Sequence, residues 1–185
     1  PNPNVQKFVT NRLLSNQHID LSVQSEAVNV PLAHELFDFP FVKEIFISDN
    51  YVSIQKSKDL EWFEINNTIR DFIKEYLQSE RRIVGENFSP EKKEIPADDQ
   101  KYVTTNDDIS KEIIAVLEEY IKPAVAGDGG NIQFLSYLPE TKEVNVILQG
   151  ACNGCPSSTI TLKNGIEATL KQLLPGKIGT VNALN

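Results

Sequence analysis

Residues 80–106 read ERRIVGENFSPEKKEIPADDQKYVTTN. The stretch carries Pro90 and Pro96, mixed charges and few regularly spaced apolar residues. Structureless loops of this length are rare inside a compact domain, because nothing in them offsets the entropy of ordering them. The stretch therefore reads as a flexible linker, extended or mobile, and divides the 185-residue chain into two small units, 1–79 and 107–185.

Residues 1–79 show mixed patterning. Two short strands are expected at 7–11 (KFVTN) and 20–24 (DLSVQ). Residues 31–39 (PLAHELFDF) fit a short helix that opens with proline and stops before Pro40. In 42–57, two strand-like runs flank Asp49 and Asn50, residues suited to a tight hairpin turn. Over 61–79, Trp62, Ile65, Ile69, Phe72, Ile73, Tyr76 and Leu77 recur at three and four, the period of an amphipathic helix.

In 107–185, Ile109, Ile113, Val116, Leu117, Tyr120 and Ile121 predict a helix running to about Lys122, capped by Thr105 or Asn106. GDGG (127–130) reads as a helix terminator leading into a strand. It lacks the longer glycine pattern and the lysine of a phosphate cradle. Strands are expected at 131–138 and 143–149, joined by the turn PETK. A helix with Leu162, Ile166, Leu170, Leu173 and Leu174 on one face ends at Pro175-Gly176, and KIGTV (177–181) fits a last strand. The expected class is α+β, two small α+β domains joined by a flexible linker, with the order α-β-β-α-β in the C-terminal one.

The net charge of −8, with no long basic run, argues against nucleic acid as a partner. The longest uncharged stretch, near 144–162, is broken by Gln149, Asn153 and Pro156, so no membrane-spanning helix is expected there. Two cysteines make no disulfide framework, which suits a reducing compartment. No signal-peptide pattern is visible at the N-terminus, and the chain contains no Met. A bacterial cytoplasm is expected, with a mitochondrial matrix, after removal of a targeting segment, as the alternative.

Both cysteines, Cys152 and Cys155, fall in GACNGCPSS (150–158), between a strand and a helix. The free N–H groups and dipole of the helix start are expected to favour thiolate there. A thioredoxin-like dithiol is one reading, but 30 residues after Cys155 are too few to complete that fold. An internal structural zinc needs four ligands, and the chain's two histidines, His18 and His34, lie across the linker. Iron–sulfur clusters also take four thiolates, of which one chain supplies two and a two-fold dimer supplies four. The pair then reads as half of a ligand set. A zinc shared between chains and a dithiol oxidoreductase stay open as alternatives. Glu118 and Glu119 read as a solvated helix face rather than a catalytic carboxylate pair.

The run DGGNIQFLSY…VNVILQGACNGCPSSTITLKNGIEATL resembles the NifU-like C-terminal domain of the Nfu family over about 107–181. PNPN with KFV, then PLAHELF and VKEIFISDNYVSI, resemble that family's N-terminal domain. The resemblance implies an iron–sulfur cluster scaffold or carrier and not an enzyme. It implies a [4Fe–4S] cluster, with [2Fe–2S] as the alternative, shared between the two chains of a homodimer that forms on cluster binding. Cys152 and Cys155 match the family's two ligands. The implied partners are apo iron–sulfur client proteins and an upstream assembly scaffold, with neither nucleic acid nor membrane among them. The N-terminal unit has no cysteine and so cannot ligate by thiolate; partner docking is the role hypothesised for it. Ile160 stands where many family members have Met, expected to be an exchange of buried side chains of similar size with little consequence.

Overall fold

In a computed structural model of the chain, residues 2–86, 88, 107–152 and 156–184 are described, the side chains of 156–158 excepted. The chain forms two compact units, Asn2–Glu91 and Lys92–Asn185. Both mix helices with a sheet, as the alternation of period-two and period-3.6 patterns requires. Among the described residues no helix is long and apolar enough to cross a membrane.

In the first unit, strands β1 (Val5–Val9), β2 (Ser15–Leu21), β3 (Val42–Asp49) and β4 (Tyr51–Lys56) form an antiparallel sheet in the order β1-β4-β3-β2. Asp49 takes φ of 45° in the β3–β4 turn, a conformation that Asp and Asn tolerate better than other non-glycine residues. Alternate residues Ile45, Ile47, Val52 and Ile54 face one way. They share a core with Leu32, Ala33 and Leu36 of helix α1 (Pro31–Leu36) and Ile69, Ile73 and Tyr76 of helix α2 (Trp62–Gln78). The Glu64 carboxylate accepts from the Glu61 N–H at 2.8 Å, satisfying one free donor at the start of α2.

The second strand was expected at 20–24, but it runs from Ser15 to Leu21. The chain then turns into a 3₁₀ segment, Gln24–Asn29. The apolar alternation that matters is Ile19 and Leu21, paired with Ile47 and Ile45, and it begins ahead of the quoted run. The expected linker also begins too early at residue 80. Gly85 donates to the Asn29 carbonyl at 2.7 Å, and the Tyr76 hydroxyl donates to the Arg82 carbonyl at 2.6 Å. Ile83, Val84 and Phe88 pack against the first unit's core. Residues 89–106 of that stretch lie outside the described residues.

The second unit has helices α3 (Asp108–Val116), α4 (Lys122–Gly127) and α5 (Pro156–Leu173), and strands β5 (Gly130–Leu138), β6 (Glu143–Gly150) and β7 (Thr180–Leu184). The sheet order is β5-β6-β7, with β5 antiparallel and β7 parallel to the central β6. A parallel neighbour requires a crossover, and α5 supplies it. Val144, Val146 and Leu148 of β6 meet Ile113 and Leu117 on one side of the sheet, together with Ile166 and Leu170 of α5. The last strand begins at Thr180 rather than at 177. The Lys177 carbonyl instead accepts from the Tyr137 hydroxyl at 2.7 Å.

The first helix of this unit does not stop near Lys122. Between α3 and α4 the chain makes one wide turn, Leu117–Ile121, in which the Lys122 N–H donates to the carbonyl of Leu117, five residues back. Pro123 has no N–H and its ring would crowd the carbonyl four residues earlier, and the widened turn relieves that clash and lets the helix resume. The cap is also one residue later than expected. Asp107, not Thr105 or Asn106, accepts from the Ser110 N–H at 2.8 Å. Burial works against the charged form of Asp107, but the hydrogen bonds from Ser110 and from the Asp107 and Ile109 backbone together outweigh it and lower the carboxyl's pKa. A carboxyl with a lowered folded pKa contributes stability above its unfolded value and loses it as pH falls through the folded one. Asp107→Ala should thus cost about 1 kcal/mol at neutral pH. The difference from the parent should vanish in acid, as read by urea unfolding at neutral pH and below pH 3.

Candidate functional site

Cys152 follows the end of β6 by two residues, in the turn that leads to α5. The helix itself starts at Pro156, so Cys152 lies outside its first turn. Its side chain is 8% exposed and belongs to the second unit's core, beside strand β5. Burial first, and the carboxylate of Asp128 second, push its thiol up to about 11. The expectation of a favoured thiolate is therefore corrected. Desolvation at the end of the strand outweighs whatever the helix start, four residues on, contributes. At neutral pH the free thiol keeps its proton, and binding to a metal would displace it. Cys155 lies outside the described residues.

The seat of this sulfur is built by glycines. Gly130 opens β5 and pairs across the ladder with Gly150 at the end of β6. A Cβ on Gly130 would lie 2.6 Å from the Cys152 Sγ and 2.8 Å from the Gln149 carbonyl oxygen. Only a residue without a side chain lets the strand pass under the sulfur. Gly129 has φ of 86°, a left-handed conformation that turns the chain from α4 into β5, and its carbonyl accepts from the Ala151 N–H at 3.3 Å. The GDGG run is thus a terminator, as expected, and also the floor of the cysteine site. That second role was missed. The signal was present as two adjacent glycines where one suffices for a helix stop. Asn131 locks the same end of the ladder, donating to the Gln149 side chain at 2.8 Å.

The other residues singled out by sequence are not brought to the cysteine. His18 Nδ1 lies 2.8 Å from the Ser48 hydroxyl and stacks on Phe46. His34 sits exposed on α1. Among the described residues, no three His, Cys, Asp or Glu side chains come together as a metal site. Glu118 and Glu119 are exposed, and Glu118 pairs with Lys122 at 2.8 Å, as a solvated helix face does. Ile160, expected to be buried, is 60% exposed on α5. It falls on the solvent side because the core face of that helix is set by Ile166 and Leu170.

Two family models match the chain: the scaffold protein Nfu/NifU N-terminal model over residues 1–80, and the NifU-like domain over 113–181. A NifU-like protein of Schizosaccharomyces pombe is 33% identical over 85% of this chain and 59% of its own length. NifU-like protein 4, mitochondrial, of Arabidopsis thaliana is 31% identical, over 92% of this chain and 59% of its own length. The human NFU1 iron-sulfur cluster scaffold homolog, mitochondrial, is 32% identical, over 95% of this chain and 66% of its own length. The chain thus spans about three fifths to two thirds of the length of these curated relatives. With both of its units matched by models of one family, the chain belongs to the Nfu/NifU family.

Proposed function

We propose that this chain is an iron–sulfur cluster scaffold and carrier. It holds a [4Fe–4S] cluster as cargo between two copies, through Cys152 and Cys155 of each, and passes it to apo-proteins. The observation that carries the reading is the donor set. The chain has two thiols in all, spaced C-x-x-C, the first of them fixed at a strand end on a glycine floor. A four-thiolate cluster fits two such chains and does not fit one. The scaffold description carried by the human relative agrees with this reading, and the mitochondrial descriptions of that and the Arabidopsis relative favour a mitochondrial location over a bacterial cytoplasm.

A cluster held half by each chain is open to stepwise exchange. An incoming thiolate replaces one ligand at a time, and no global unfolding is needed. Residues 1–88 and 107–185 act as separate domains in this reading, and 89–106 joins them. A tethered first domain that binds a client raises the effective concentration of the client's thiols near the cluster. A dithiol oxidoreductase is the second reading, and it would need Cys155 as its nucleophile, because burial holds the Cys152 thiol protonated.

The test is anaerobic reconstitution of the full chain with iron and sulfide. Broad visible absorption, about four iron and four sulfide per pair of chains, and a shift from monomer to dimer in sedimentation are expected. Transfer to an apo [4Fe–4S] enzyme should then proceed with chelator in excess. Limited proteolysis of the same sample should cut within 89–106 and leave the cluster on the C-terminal fragment. A colourless protein, or zinc without acid-labile sulfide, would sink the cluster reading. Complete suppression of transfer by the chelator would leave binding intact and remove the carrier role.

A further inference from the structure

The first unit contains a trough of about 610 Å³ between the edge strand β1 and helix α2. One wall is β1 with the residues that follow it, up to Arg12; the other is a row on α2 at four-residue spacing, Asn66, Arg70, Lys74 and Gln78. Residues four apart lie on one helix face, so this row runs along the trough. Phe8, Ile73 and Leu77 give it an apolar floor. Three cationic side chains line it, Arg12, Arg70 and Lys74, and no Asp or Glu does; Lys7 also borders it along β1, but its side chain faces away from Phe8.

That concentration is unexpected in a chain with 26 acidic and 18 basic residues. Arg70 reaches Asp71 at 3.3 Å, with both side chains about 60% exposed, a pairing of little strength. Lys7 extends 4.2 Å over the Tyr51 ring, which leaves Arg12, Arg70 and Lys74 as the main positive groups. All three are exposed. The trough is about 18 Å long, from twelve residues of helix at about 1.5 Å each. That length accommodates about six residues of extended chain.

We propose that this trough binds an extended acidic segment of a partner protein. Carboxylates on one edge of the segment meet Arg12, Arg70 and Lys74, apolar side chains on the other edge settle on Phe8, Ile73 and Leu77, and amide side chains such as Gln6 and Asn66 are placed to bond the segment's backbone. A duplex or long single strand of nucleic acid is the poorer fit. The cations form a short cluster and not a continuous stripe along which a phosphate backbone could run. A single small anion would leave the apolar floor uncovered. The inference concerns a different unit from the cysteines and stands independently of the cluster reading.

The experiment uses the full chain and a fluorescein-labelled hexapeptide alternating Glu and Val, read by anisotropy at low salt. The peptide should bind, and added salt should weaken it. Arg12→Glu, Arg70→Glu and Lys74→Glu should each weaken binding about fivefold or more, since reversal replaces attraction by repulsion. Lys58→Glu makes the same charge change on an exposed lysine outside the trough and should leave affinity nearly unchanged. Thermal unfolding should show all four variants folded like the parent. A Gln-for-Glu peptide should bind weakly. No binding of the acidic peptide at millimolar concentration, equal loss with Lys58→Glu, equal binding of the Gln peptide, or tighter binding of an oligothymidylate of equal length would each overturn the proposal.

Discussion

Serine at either Cys152 or Cys155 is expected to abolish stable cluster binding while the fold survives. The effect is all-or-none because of the symmetry in the proposed site. One substitution per chain removes two of four thiolates from the pair, and a hydroxyl is a poor replacement for a thiolate on iron. The fold has less at stake. Cys152 is one small side chain in a core that also holds Leu148, Ile166, Leu170 and Val181, and serine nearly matches its volume. Burying the hydroxyl should cost about 1–3 kcal/mol if it finds no partner. Iron and sulfide per chain, measured after reconstitution beside a urea denaturation curve, separate the two effects. Either variant retaining the parent's cluster content would show that the ligand assignment is wrong.

Gly130→Ala is expected to disturb the same site without touching a sulfur. The added Cβ would stand 2.6 Å from the Cys152 Sγ and 2.8 Å from the Gln149 carbonyl, distances that real Cβ atoms do not adopt. The sulfur could swing aside, but the carbonyl is backbone in the strand paired with β5, and moving it opens the Gly130–Gly150 end of the ladder. Overpacking of this kind costs about 1–3 kcal/mol. The readouts are a lower unfolding midpoint and faster alkylation of Cys152, whose thiol is slow to react because burial holds its pKa up. Gly127→Ala is the control. Its Cβ would meet nothing within 4 Å, and it ends helix α4, so the exchange should be neutral or stabilise by about 0.4–1 kcal/mol. If Gly130→Ala matched Gly127→Ala in stability and alkylation rate, the glycine floor would be no constraint on the cysteine.

The elements of the second unit were legible because each has a local cause. Ile113, Val116 and Leu117 repeat at helical spacing, Val144, Val146 and Leu148 alternate, and Pro175-Gly176 ends α5. Local pattern misplaces what depends on pairing or on a specific clash. The start of β2 follows from Ile19 meeting Ile47 across the sheet, and the continuation past Lys122 from a widened turn that accommodates Pro123. Residues 82–86 have linker composition, yet the apolar contacts of Ile83 and Val84 and the Gly85–Asn29 hydrogen bond hold them on the first unit.

The same division holds for the sites. Sequence by itself determined the thiols available to the proposed site, since two at C-x-x-C spacing and no others are a matter of composition, and ligand number is a property of the metal. Only the tertiary structure decided the direction in which the Cys152 pKa moves. The short-range dipole of a helix start can be read along the chain, whereas desolvation depends on which strand packs over the sulfur. Tertiary structure alone also revealed that Gly130 is the residue under that sulfur, 22 positions away in sequence, and that Arg12 joins Arg70 and Lys74 across a gap of nearly sixty residues. Charges so far apart in the chain form a site only when strand and helix are set side by side, and that placement follows from burying Phe8, Ile69 and Ile73 in one core.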